Sequence, residues 1–256
     1  MSNPSLAGEA TMISDADMNG FMACVHGMDR SLGLDLILHT PGGVVSAAQA
    51  IVSYLRDAFS GDIRVLVPQL AMSAGTMLAC AARTIVMGRH SSIGPFDPFL
   101  SGCSTFAVLR EFNEARDDVK RSPNLAAFWR PILEKYPPGF IIDCRNAIEL
   151  AHELVSQWLQ TGMFREDSDA DQRAQRVIAL LGDGDAMKQH DRHVSAEEAE
   201  RIGLKVQRLE ADPELQDRLL TAHHAALYSM SRRGMAKLIE SSGGVAFNTA
   251  QVPLLA

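Results

Sequence analysis

Leu36-Ile37-Leu38-His39-Thr40-Pro41-Gly42-Gly43 and, about thirty residues on, Ala71-Met72-Ser73-Ala74-Gly75-Thr76 are the two stretches that decide the fold. The first ends an apolar strand in two glycines. The second places a serine hydroxyl where the chain leaves a strand and enters a helix of small residues. Two glycine-flanked turns, each at the carboxyl end of a strand, can hold backbone N–H groups around one serine oxygen. A nucleophile and an oxyanion hole are the minimum equipment for acyl transfer.

The flanking sequence extends this into an alternating pattern. Ser14 followed by Asp17 reads as a helix cap, and Met18, Phe21, Met22 and Val25 recur at helical spacing up to about Met28. The unbroken apolar content of 34–39 predicts a strand covered on both faces. A helix over 44–58, a strand over 63–67, a helix over 74–82 and a strand over 84–87 follow, and Gly94-Pro95-Phe96-Asp97-Pro98 is a rigid turn. That rhythm implies right-handed crossovers and a parallel sheet. The second half reads as helical over 105–119, 145–161, 169–181, 195–202 and 213–228, with one short strand near 204–209 and a loose tail over 243–256. The expected organisation is one α/β domain over 1–210, followed by C-terminal helices and a tail over 211–256.

Composition narrows the function classes. The chain has 256 residues, 46% of them hydrophobic and 21% charged, which suits a soluble domain with a sizeable core. A net charge of −7 argues against nucleic acid as the main partner. No run approaches the roughly 20 apolar residues of a membrane helix, so no transmembrane segment is expected. Met1-Ser2-Asn3-Pro4 opens without a basic region and an apolar run, so no secretory signal is read and the expected location is cytoplasmic. Cys24, Cys80, Cys103 and Cys144 lack C-x-x-C spacing and read as reduced core residues, with no zinc site expected.

Each chemical candidate has a plain structural reading beside it. Ser73 is either a nucleophile or the N-cap of a core helix. Gly42 and Gly43 either approach a substrate carbonyl or simply open the next helix. Ala71 stands where the G-x-S-x-G elbow requires glycine, so an α/β-hydrolase is not supported. His190 and His193 have metal-ligand spacing but no evident third ligand, and no metal is assigned. His39, His223 and His224 read as packing residues.

Taken in order, these blocks resemble the serine dehydrogenase proteinase family of the Clp/crotonase superfamily, which includes ClpP-like and signal peptide peptidase A-like serine peptidases. Two later blocks strengthen the match: 93–98, and His190-Asp191-Arg192-His193-Val194-Ser195 running into Ile202-Gly203-Leu204. The resemblance covers roughly residues 13 to 210. It implies a spiral of βαβ units with a parallel sheet core and a helical C-terminal part. It also implies a cytoplasmic serine peptidase that needs no cofactor, acts on peptide or protein substrates and assembles as a homo-oligomer. On it, Ser73 attacks the peptide carbonyl, and the N–H groups of Gly43 and Ala74, with Gly42 beside them, hold the oxyanion.

The general base is where this chain departs from its relatives. Clp-type peptidases carry a histidine shortly after the third strand, near Pro95 to Pro98 here, and this chain has none there. Signal peptide peptidase A relatives use a lysine beyond the serine, in the range where Lys120 falls. The block that carries the Clp-type aspartate holds His190-Asp191, and His190 is the preferred base because imidazole ordinarily titrates near neutral pH. Asp191 is the acid named with it. Adjacent residues on an extended segment point in opposite directions, however, so Asp97 and Asp35 stay open as orienting acids. The rival functions are a Clp-fold scaffold without catalysis and a crotonase-type enzyme acting on an acyl-coenzyme A. Little chain precedes Ser14 for the opening strand such folds usually have, which leaves a sheet edge to be covered.

Overall fold

The computed structural model describes residues 1–6 and 8–250. After helix α1 (Asp17–Val25) come β1 (Leu34–Ile37), α2 (Val45–Ala58), β2 (Ile63–Val67), β3 (Leu70–Ala71), α3 (Ala74–Cys80), β4 (Thr84–Met87) and β5 (Ser92–Ile93). A small hairpin, β6 (Phe99–Leu100) and β7 (Cys103–Ser104), leads into α4 (Thr105–Arg121), α5 (Ala126–Leu133), α6 (Phe140–Thr161), α7 (Ala170–Val177) and α8 (Gly184–Met187). The chain closes with β8 (Val194–Ser195), α9 (Ala196–Ile202), β9 (Val206–Arg208), α10 (Pro213–Arg233), β10 (Met235–Glu240) and β11 (Ala246–Ala250).

The main sheet runs β1-β2-β4-β9 and is parallel throughout, as the alternating pattern predicts. Period-two alternation sends the β2 and β4 side chains to two different cores. Val65, Val67, Ile85 and Met87 face α2, α3 and α6, while Leu66 and Val86 pack with Leu209 and Leu219 on the α10 side. This two-sided cover explains the apolar runs in those strands. β1 behaves differently. It spans only Leu34–Ile37, is half-buried, and turns Asp35 outward to Arg64 at 2.6 Å. The edge beyond it is met by single contacts: Ser2 N–H donates to His39 O (2.8 Å), and Ile13 pairs with Gly43.

A second small sheet carries the site. β3 pairs parallel with β5, and β5 pairs antiparallel with β8. Two expectations are corrected. Residues 246–250 form a strand paired with β10 rather than a loose tail, while 251–256 lie outside the described residues. The helix read from 145 starts at Phe140, and the short helix α5, which buries none of its side chains, was not read at all.

Candidate active site

Ser73 follows β3 directly and precedes α3, the helix whose seven residues are all buried. Its backbone lies at φ 51°, ψ −119°, a left-handed conformation that costs a residue with a Cβ about 1–3 kcal/mol. An N-cap serine would repay that strain by bonding the helix N–H groups, but Ser73 makes no side-chain cap bond. The turn is held by other groups. Gly75 N–H donates to Met72 O (2.8 Å), and the fully buried Thr76 hydroxyl lies 2.8 Å from both Ala71 O and Gly94 O. Ser73 itself is only partly buried and can be reached from solvent.

The Pro-Gly-Gly turn lies directly against the serine. Thr40 pairs with Ala71, through Thr40 N–H to Leu70 O (3.1 Å) and Met72 N–H to Thr40 O (3.0 Å). A Cβ on Gly42 would sit 2.7 Å from Ser73 Cβ and 3.3 Å from its Oγ, and one on Gly75 would sit 2.5 Å from Thr40 Cγ2. Only glycine allows the two turns to approach this closely. Gly42 N–H is taken by Thr40 Oγ1 (3.2 Å). Among the described residues, the N–H groups of Gly43 and Ala74 donate to no protein acceptor.

The small sheet assembles a histidine–carboxylate pair. β5 and β8 align Ser92 with Ser195 and Ile93 with Val194. Beyond these strands the chain is irregular over 94–98 and turns at 189–192, and there Asp97 meets His190. His190 Nδ1 lies 2.8 Å from Asp97 Oδ1, with the Asp97 side chain 3% exposed and that of His190 27% exposed. Phe99 packs on the imidazole, ring centroids 4.4 Å apart. Gly184 closes the other side, since a Cβ there would come within 3.1 Å of Asp97 Oδ2. His190 Nε2 has no hydrogen-bond partner among the described residues. Met72, the neighbour of Ser73, lays its side chain on Gly94, where the carbonyl of Arg192 also lies. Met72 thus links the serine turn to the segments on which Gly94 and Arg192 lie.

The remaining candidates fall elsewhere. Asp191 is exposed and is not the carboxylate bonded to His190; the two are the central residues of a turn closed by Arg192 N–H donating to Gln189 O (3.3 Å). Asp35 is engaged by Arg64 on the outer sheet edge. Lys120 is exposed in the last turn of α4, without the burial a lysine base requires. His193 bonds Ser92 Oγ (2.7 Å), and no cluster of three metal-ligating side chains occurs among the described residues. Thr40 and Thr76, which tie the turns together, went unread. Their signal was a hydroxyl residue inside each glycine block.

Comparison with known proteins bears on the family. Residues 12–127 match the family model of the ClpP-like SDH-type serine proteinases, so the resemblance carried by the motifs holds over that stretch. Two curated relatives come from Methanocaldococcus jannaschii. The uncharacterized protein MJ0137 is 28% identical over 76% of this chain, and the uncharacterized protein MJ1495 is 23% identical over 76%. The match spans about 60% of the length of the first relative and 59% of the second. Among solved structures, the 1510-N membrane-bound stomatin-specific protease, determined as a mutant with a substrate peptide, aligns at 16% identity and TM-score 0.47. That alignment covers 93% of this chain and 83% of the other. Among the described residues, no helix is long and apolar enough to cross a membrane.

Proposed function

We propose that the protein is a serine peptidase that hydrolyses peptide bonds through an acyl-enzyme on Ser73, with His190 as general base and Asp97 as the acid that orients it. The observation that carries this reading is a strained, non-capping serine in contact with a glycine turn whose next N–H is free.

In this reading, Ser73 Oγ attacks the scissile carbonyl as His190 Nε2 accepts its proton. Asp97, bonded at Nδ1, fixes the tautomer that leaves Nε2 free and stabilises the imidazolium that forms. The carbonyl oxygen, now an oxyanion, takes hydrogen bonds from Gly43 and Ala74 N–H, the latter at the positive end of α3. The imidazolium returns its proton to the leaving amine, and water attacks the acyl-enzyme by the same route. No step requires a metal or a bound organic group. The presence of the pair supports catalysis over a scaffold role.

A fluorophosphonate probe tests the reading. The wild-type protein should be labelled at Ser73, and Ser73→Ala should remain folded but unlabelled; equal labelling of the variant would end the assignment. A homo-oligomer is part of the same proposal, supported by the exposed apolar side chains Phe128 (62%) and Ile142 (59%). A monomer by light scattering at micromolar concentration would remove that part alone.

A further inference from the structure

Lys237 is a nearly buried lysine in the C-terminal hairpin, far from Ser73 in sequence and absent from the mechanism above. The β10–β11 register shifts between Met235 and Lys237, an irregularity of the kind that re-aims a side chain. The redirected side chain is only 10% exposed and reaches the segment ahead of α1. Its ammonium donates to Met12 O (2.8 Å), Ser14 Oγ (3.2 Å) and Asp17 Oδ2 (2.9 Å). Three donors thus meet three acceptors, which leaves the buried charge fully satisfied. Asp17 Oδ2 also accepts Ser14 N–H at 2.9 Å, so residues 12, 14 and 17 are bound into one knot.

Ile13, enclosed between the residues Lys237 holds, is the one that touches the oxyanion turn. Its N–H donates to Gly42 O (2.8 Å), and its carbonyl accepts Val44 N–H (2.9 Å). It lies so close to Gly43 that a Cβ there would come within 2.3 Å of both Ile13 N and Ile13 O. The carbonyl of Gly42 and the N–H of Gly43 belong to one planar trans peptide and point in opposite directions. Holding the carbonyl on Ile13 therefore aims the N–H away from Ile13, toward the serine side.

We propose that Lys237 is a positioning residue for the oxyanion hole: it fixes residues 12–14, and through Ile13 fixes the peptide plane that presents Gly43 N–H. The proposal rests on the peptidase reading for its catalytic consequence but not for the structural link. The C-terminal hairpin thereby becomes part of the active-site framework.

The test uses the full chain and the double variant Asp17→Asn/Lys237→Met, which removes both buried charges together so that neither is stranded. Two readouts are taken. Amide exchange should accelerate about tenfold or more at Ile13 and Val44, with the amides of β2 and β4 unchanged, because only the local clamp opens. With a peptide substrate, kcat should fall about 10- to 100-fold at nearly constant KM, short of the 100- to 1000-fold that loss of a whole donor costs. Unchanged Ile13 exchange, or a kcat within twofold of wild type, would overturn the proposal, as would a loss confined to KM. Should the double variant not fold, Ser14→Ala removes one of the three acceptors, and the same two readouts must move in the same direction. If the wild-type protein hydrolyses no peptide and takes no fluorophosphonate, the peptidase reading fails, and the exchange measurement still decides the structural link.

Discussion

The serine turn and the histidine–aspartate pair, which the proposed function joins in one site, are built by opposite means. The turn is main-chain architecture: three glycines, a serine at positive φ, and threonine hydroxyls bridging neighbouring carbonyls, all between Thr40 and Thr76. The pair is side-chain architecture. It joins residues 93 positions apart, on segments that continue beyond β5 and precede β8, each strand only two residues long. The first leaves no room for an added methyl group. The second leaves room, but depends on which functional group stands at each of two positions.

Substitution in the pair should therefore act on chemistry and spare the fold. His190→Ala removes the proposed base and should lower kcat about 10,000-fold, the upper end for a general base. Asp97→Asn keeps the shape but no longer enforces the tautomer, and a fall of about 1000-fold or more is expected with KM little changed. Asp191→Asn is the discriminating control. Steady-state kinetics should show it within about twofold of wild type, as for an exposed residue away from the chemistry. A large loss in Asp191→Asn with none in Asp97→Asn would reverse the assignment.

The turn should respond to volume instead. Gly42 lies at φ +114°, and the Cβ of Gly42→Ala would sit 2.7 Å from Ser73 Cβ and 2.9 Å from Met72 O. Both the strain and the collision push the turns apart, and fluorophosphonate labelling should slow about 100-fold or more, comparable to losing an oxyanion donor. Thr76→Val is milder. It deletes the hydroxyl between Ala71 O, Gly94 O and Gly94 N–H without changing the volume much. Leaving those buried groups unpaired should cost about 1–3 kcal/mol in denaturant unfolding. An unaffected Thr76→Val protein would mean that the serine turn is held by packing alone.

The same contrast separates what the sequence made legible from what it did not. The parallel core was readable because Val65-Leu66-Val67 and Ile85-Val86-Met87 are unbroken apolar runs, and local signals bound each of them. Ser73 and its glycines were readable because they form contiguous blocks. The Asp97–His190 contact was not, since nothing local fixes the register of two-residue strands. Yet a trace of it was present. The resemblance to Clp-type peptidases implies a histidine near Pro95 to Pro98, where Asp97 stands, and an aspartate in the block that holds His190. In the proposed function the two residues exchange those roles. β10 and β11 were missed for a different reason: Gly243-Gly244 reads as the start of a tail unless the buried face of Met235–Leu238 has a visible partner, and that partner is α10, through Ala226, Leu227 and Met230.

A third contact ties the Pro-Gly-Gly turn to α10, and it gives the smallest expected effect. His39, just ahead of that turn, meets His223 of α10 edge to face, ring centroids 4.9 Å apart. Both side chains are buried, and neither Nδ1 finds a partner. Burial pushes each imidazole down to about 4, assisted for His39 by the charge of His223 and for His223 by that of His224. The unfolded chain takes up these protons near pH 6.5, well before the folded chain does. Their contribution to stability is therefore complete above pH 6.5 and is lost as the pH falls from there toward 4. Each ring can contribute a slope of at most about 1.4 kcal/mol per pH unit in that window. Urea unfolding at pH 7.5 and pH 5.5 should show the wild-type protein losing stability on acidification. His223→Leu should lose less, because one of the buried groups that resist protonation in this window is gone. Equal losses in the two proteins would mean that the buried imidazole of His223 does not carry this pH dependence.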